Sequence, residues 1–244
     1  MTFFRPEQLR QLRADMRAQD EDRDPFREHI WLLQQATQNP PGSRAPWVTS
    51  FSDWIFDLCV PSRPTSALAV GKRGEREIRA AFRQRRRGLE RPRSLLNGEW
   101  KLIFEDPLQD APSPEGRGAK KISSLKVGES PFWGIPDLVY RNINTGEILI
   151  IDRKISRANV PDYGWPNLKV QLWCYSWIDD WIDANEVHLA GEIWIEKGFE
   201  FVQSPTRPPQ WRRGNMKFQR ECLELFEAYG GTFKKMRPSR RDPR

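Results

Sequence analysis

Three ionisable residues in one short stretch could do chemistry together: Asp137, Asp152 and Lys154. In Ile150-Ile-Asp152-Arg-Lys154 the side chains of an extended strand alternate between faces, so Asp152 and Lys154 project to one side while Ile151 and Arg153 project to the other. The preceding Ile148-Leu-Ile-Ile151 is apolar on both faces, the pattern of a central buried strand, where a charge is costly unless it is paired or serves a site. Asp137 opens a second β-like run, Asp137-Leu-Val-Tyr-Arg141, and the intervening Asn142-Ile-Asn-Thr-Gly146 suits a tight reversal. Folding this ribbon back brings Asp137 beside Asp152. Two close carboxylates make a hard oxygen-ligand site suited to magnesium or manganese. An ion that acidifies a water, with a cation such as Lys154 set against growing negative charge, is the equipment of phosphodiester hydrolysis.

Two helical segments could complete such a centre. In Gly71-Lys-Arg-Gly-Glu75-Arg-Glu77-Ile78-Arg79-Ala-Ala-Phe82, at about 100° per residue, Glu75 shares a stripe with Ile78 and Phe82 whereas Glu77 points away. Glu75 is therefore the candidate third metal ligand. In Gln171-Leu-Trp-Cys-Tyr175 the i, i+4 spacing puts an amide and a hydroxyl on one helix face, where both can hydrogen-bond a phosphate oxygen or a catalytic side chain. Each feature has a plainer alternative. Asp152 and Lys154 could form a surface pair, Asp137 could cap a turn after Pro136, Glu75 could bridge to Arg79, and Gln171 with Tyr175 could be the polar margin of a buried helix.

The elements that must position these residues follow from period and punctuation. A charged helical arm over about Pro6 to Thr37 ends at Asn39-Pro-Pro-Gly-Ser43, which reads as a linker. An amphipathic aromatic segment, Trp47 to Leu58, precedes the basic helix over Gly71 to Arg87, and Pro107 to Gly118 reads as an exposed loop. Downstream of the hairpin the pattern predicts a helix over Asn167 to Ala184, strands over Val187 to Ile195 and Phe199 to Gln203, and a helix over Met216 to Tyr229. The expected organisation is an N-terminal helical arm and linker at 1–42, an α/β domain with a mixed central sheet flanked by helices at 43–232, and a basic disordered tail at 233–244. The arm is a candidate contact for a protein partner.

Composition bounds the possible partners. Lysine and arginine total 40 against 33 acidic residues, a net charge of +7 that favours a polyanion without naming it. The arginine-rich run Arg83 to Arg93 is either a solvated face or a DNA contact. No apolar run approaches the roughly 20 residues that cross a bilayer, and no signal-peptide core follows Met1, so a cytoplasmic protein with no membrane partner is expected. Cys59, Cys174 and Cys222 have neither disulfide nor zinc spacing and are expected to be core residues. His29 and His188 stand alone and read as structural.

The ordered set Gly71-Lys-x-x-Glu75-x-x-x-Arg79, Gly134-Ile-Pro-Asp137, Ile150-Ile-Asp152-Arg-Lys154 and Gln171-x-x-x-Tyr175 resembles the PD-(D/E)XK nuclease superfamily, in particular its RecB-type and phage-recombination exonuclease branch. Ser50 to Cys59 is similar to the helix that opens many of these domains. The resemblance covers roughly residues 48 to 203 and implies a restriction-endonuclease-like fold and metal-dependent cleavage of DNA, exonuclease ahead of endonuclease. It implies Asp137, Asp152 and Glu75 as ligands of Mg2+ or Mn2+, Lys154 as the catalytic cation, and Gln171 and Tyr175 as organisers of the site. Repair, recombination, phage biology and defence are all settings it allows. Some relatives bind an iron–sulfur cluster through four cysteines, and with three, unsuitably placed, no cluster is expected here. Two other readings compete with the nuclease: a catalytically silent nucleic-acid-binding or assembly subunit of the same fold, and a sugar- or nucleotide-processing enzyme. The second would need a phosphate loop or nucleotide fingerprint, and neither GxxxxGK[ST] nor GxGxxG occurs.

Overall fold

The computed structural model of the chain describes residues 25–59, 99–106, 118–156, 166–197, 200–203 and 210–235. The first part of the arm, the basic helix with Glu75, Glu77 and Arg79, the run Arg83 to Arg93, the loop at 107–117 and the tail at 236–244 lie outside these residues.

The uninterrupted apolar run Ile148 to Ile151 forms the middle of a mixed sheet, as an all-apolar strand should. Strands β1 (Trp100–Glu105), β4 (Leu138–Asn142), β5 (Ile148–Ser156), β6 (Val187–Lys197) and β7 (Glu200–Gln203) lie side by side in the order β1-β4-β5-β6-β7, and β8 (Gln210–Arg212) also pairs with β6. Among the described residues of this sheet only the β5–β6 pair is parallel; β1–β4, β4–β5, β6–β7 and β6–β8 are antiparallel. The β4–β5 hairpin closes where expected: Asn142 Oδ1 accepts from the backbone N–H groups of Asn144 and Thr145 at 2.9 and 3.1 Å, and Gly146 adopts φ 74°, a left-handed turn position that favours glycine.

The parallel pair needs a crossover, and α3 (Pro166–Tyr175) supplies it, lying on β5 and β6. Helix α2 (Val48–Cys59) packs on α3, α4 (Met216–Ala228) packs on α3 from another side, and α1 (Pro25–Gln38) packs on α4 and α2. Helix α4 starts at Asn215, whose side chain accepts from Phe218 N, and buries Phe218, Cys222, Leu225 and Phe226 at helical spacing. A small second sheet, β3 (Ser130–Gly134), β2 (Lys120–Val127) and β9 (Gly231–Phe233), closes this side of the molecule. Phe51, Phe132, Phe226 and Tyr229 meet between these layers with ring centroids 5.1 to 5.4 Å apart. Cys59, Cys174 and Cys222 are buried free thiols, and burial pushes the Cys174 and Cys222 thiols far up in pKa. The chain is thus α/β, with a mixed sheet of six described strands flanked by helices. None of the described helices is long and apolar enough to cross a membrane.

Several elements depart from the sequence reading, among them β1, β8 and β9, where no strand is expected. The helix expected over Asn167 to Ala184 stops at Tyr175, followed by a turn and a short 3-10 segment, Asp179–Trp181. Carbonyls freed there are taken by side chains: Trp181 Nε1 donates to Tyr175 O at 2.9 Å and Arg213 donates to Ser176 O at 3.0 Å. Strands β2 and β3 have no counterpart in the sequence pattern. Their ladder shifts register between Ile122 and Lys126, so Ser124 and Leu125 are both buried and the period-two signal is lost.

Candidate functional site

Strand register places the two aspartates. The β4–β5 ladder pairs Leu138 with Ile151 and Val139 with Ile150, and continuing it by one residue sets Asp137 opposite Asp152. Directly opposed residues share a face. Val139 and Ile150 point to the main core with the helices, whereas Leu138 and Ile151 belong to a small cluster on the other face. Asp137 and Asp152 therefore both face α3. Pro136 offers no N–H, and the ladder ends at this point: Asp137 O still accepts from Asp106 N at 3.0 Å, while its side chain takes over from a backbone acceptor, Oδ2 receiving the N–H of Arg153 at 2.6 Å.

Asp152 is 2% exposed. Its Oδ2 lies 2.7 Å from Lys154 Nζ, two residues further along the same face of β5. The ammonium also donates to Gln171 Oε1 at 2.7 Å, and Gln171 Nε2 donates to Tyr175 OH at 3.0 Å. This chain settles the amide orientation, since only the oxygen of Gln171 can face an ammonium. Ser52 on α2 reaches the same amide, its Oγ 3.4 Å from Gln171 Oε1 while donating to Asn167 O at 3.1 Å. Tyr175 is 1% exposed and its pKa is pushed well above the ordinary phenol value, by burial first and then by the Asp152 carboxylate, with the Gln171 hydrogen bond acting the other way. It remains a neutral phenol throughout the physiological range.

Backbone fit matters at one glycine. A Cβ on Gly134 would stand 2.7 Å from Tyr175 Cε1 and 2.8 Å from Val48 Cγ2, so the end of β3 and the Tyr175 ring share space that only glycine leaves open. Ser52 contributes to the site through a contact between distant segments that no spacing announces, whereas Gly134 stands in the Gly134-Ile-Pro-Asp137 motif and its contact with Tyr175 is the part that spacing does not show.

Of the residues singled out from sequence, Asp137, Asp152, Lys154, Gln171 and Tyr175 converge at one end of β5. Glu75 lies outside the described residues, and among the described residues no three His, Cys, Asp or Glu side chains form a metal-binding group. His29 and His188 each face a glutamate, His29 Nε2 at 2.7 Å from Glu224 Oε2 and His188 Nε2 at 3.7 Å from Glu147 Oε2. The donor chemistry of the converged set fits a hard divalent cation: within it two carboxylates stand against one ammonium, and each carboxylate oxygen can accept more than one bond.

No family model matches the chain. No curated protein matches it either. Among solved structures, one described as "Crystal structure of SSO0001" is similar at a TM-score of 0.31 and 14% identity, covering 81% of this chain and 85% of that one. So weak a superposition carries no argument about fold or function.

Proposed function

We propose that this chain is a Mg2+- or Mn2+-dependent deoxyribonuclease with a restriction-endonuclease-like PD-(D/E)XK domain. The observation that carries the reading is the common face of Asp137, Asp152 and Lys154 at the end of a central buried strand, where charges are costly unless they have work to do. Asp137 and Asp152 would hold the ion, with Glu75 as a further ligand. When bound, the ion would polarise a phosphate oxygen and acidify a water. Lys154, steered by Asp152 and Gln171, would donate to an oxygen of the phosphorane. Tyr175, kept protonated, serves as a hydrogen-bonding anchor for Gln171 and not as a base. The net charge of +7 suits a polyanionic substrate.

The test is purified protein incubated with linear, circular and single-stranded DNA, with Mg2+, Mn2+, Ca2+ or chelator. Cleavage is expected with Mg2+ and Mn2+, little with Ca2+, whose looser coordination holds the water less rigidly, and none with chelator. Glu75→Gln should impair cleavage far more than Glu77→Gln. Cleavage confined to linear DNA would identify an exonuclease. Full cleavage in excess chelator would overturn the metal mechanism, and DNA binding without cleavage under every metal would favour the silent-subunit reading.

A further inference from the structure

The end of β5 that carries Asp152 and Lys154 has β6 as its only strand neighbour among the described residues. The β4 ladder stops at Ile151, whereas the β6 ladder continues to Ser156. Within this stretch Arg153 turns its guanidinium to the face away from α3. There its Nε lies 2.6 Å from Oε2 of Glu192, the residue directly across from it on β6, with side-chain exposures of 4% and 18%. The surrounding face is apolar, formed by Trp100, Leu138, Leu149, Ile151 and Ala190. Tyr140 on the same face feels both charges: its pKa is raised mainly by burial, Arg153 pulls it down, and Glu192 pushes it up. Meanwhile the backbone N–H of Arg153 donates to Asp137 Oδ2 at 2.6 Å. One residue thus touches both faces of the sheet.

A buried ion pair contributes little net stability, because desolvation offsets much of the attraction, and apolar residues of similar volume serve a sheet at least as well. What the pair does supply is position. We infer that Arg153 and Glu192 are positioning residues: their ion pair pins residue 153 to β6 and thereby holds its amide under the Asp137 carboxylate, which sets the spacing of Asp137 and Asp152. The consequence for metal binding rests on the nuclease reading, whereas the placement of Asp137 does not.

The experiment uses the full chain and the near-isosteric Glu192→Gln, followed by two readouts that need no DNA. Hydrogen–deuterium exchange of the Arg153 amide, measured by NMR without metal, should quicken roughly tenfold, the loss of about one hydrogen bond, while amides of Leu149 to Ile151 stay unchanged. The Mn2+ dissociation constant should rise about tenfold, as it does when a partner behind a ligand is removed. With DNA, kcat should fall at unchanged KM, and Arg153→Met combined with Glu192→Gln should be no worse than the poorer single variant. Arg153→Lys should retain part of both properties, and it provides the same contrast should Glu192→Gln not fold. Unchanged amide exchange and unchanged Mn2+ affinity in a folded variant of lower Tm would overturn the inference. Quickened exchange in a chain whose wild type neither binds Mn2+ nor cuts DNA would leave the positioning role standing and remove the nuclease reading.

Discussion

Two hairpins in this molecule each carry a lysine paired with an aspartate, and they differ in what else the aspartate does. On β4–β5, Asp152 is buried, shares a sheet face with Asp137, and shares its lysine with Gln171. On β2–β3, Lys120 pairs with Asp180 at 2.5 Å in an exposed setting, and the neighbouring Asp179 is engaged by Ser123, accepting from its N–H at 2.8 Å and its hydroxyl at 2.7 Å. Those bonds tie the 3-10 segment after α3 to the small sheet. A lysine–carboxylate pair is thus not by itself a site. Burial, and a lysine shared with a second partner, Gln171, separate the two.

The sharpest way to break that comparison is to remove each lysine in turn. Lys154→Ala or Asp152→Ala should lower cleavage by about a thousandfold or more with the protein still folded, because the members of such a centre act as a unit. Lys120→Ala should leave cleavage unchanged and cost roughly 0–1 kcal/mol of stability, as exposed pairs do. Cleavage assays beside a thermal melt of each variant decide it. Equal effects on cleavage would mean that the β4–β5 pair is as ordinary as the other.

Two glycines of the β2–β3 hairpin carry the contrast into the backbone, because one stands in its turn and the other at the end of β3 against Tyr175. Gly128, in the β2–β3 turn, adopts φ 58° and has nothing within 4 Å of where a Cβ would stand, so Gly128→Ala should cost about 1–2 kcal/mol through backbone strain and leave cleavage alone. Gly134→Ala has no open space and must push Tyr175 or Val48, costing about 1–3 kcal/mol. Because Tyr175 accepts from the Gln171 amide that holds Lys154, this second loss should be accompanied by roughly tenfold slower cleavage. Denaturant melts and rates on both variants test whether stability and activity separate as stated.

The same two hairpins explain how much can be read from sequence. The β4–β5 pair is legible because an unbroken apolar run fixes the strand, Asn142 and Gly146 fix the turn, and counting back along the ladder brings Asp137 to Asp152. Gln171 and Tyr175 are legible because helical spacing alone makes them neighbours. The β2–β3 pair is not, since its irregular register buries the adjacent Ser124 and Leu125 and erases alternation. The end of α3 escapes the pattern because the groups that stop it, Trp181 and Arg213, come from further along the chain. Likewise Ser52 and Glu192, and the contact of Gly134 with Tyr175, meet the site across long stretches of sequence, where no period connects them.

The smallest expected effect concerns pH. Tyr175 sits against the acidic end of the β4–β5 hairpin, and burial together with Asp152 raises its pKa well above the ordinary phenol value of about 10. The folded state therefore binds this proton more tightly than the unfolded chain. The stability so contributed is fully present below about pH 10, the unfolded value, and is lost as pH rises towards the folded one. Around neutrality the residue adds no slope. Tyr175→Phe removes the titration, so its loss of stability between about pH 9 and pH 11 should be smaller than that of the wild type. The alkaline limb should not vanish, because Tyr140 and Tyr229 are also raised, in both cases mainly by burial. Urea unfolding of the two proteins at about pH 8 and about pH 11, on either side of the phenol value, measures the difference. Parallel curves would mean that Tyr175 ionises as easily in the fold as in the unfolded chain, and the phenol could then no longer be treated as a fixed neutral anchor for Gln171 and Lys154.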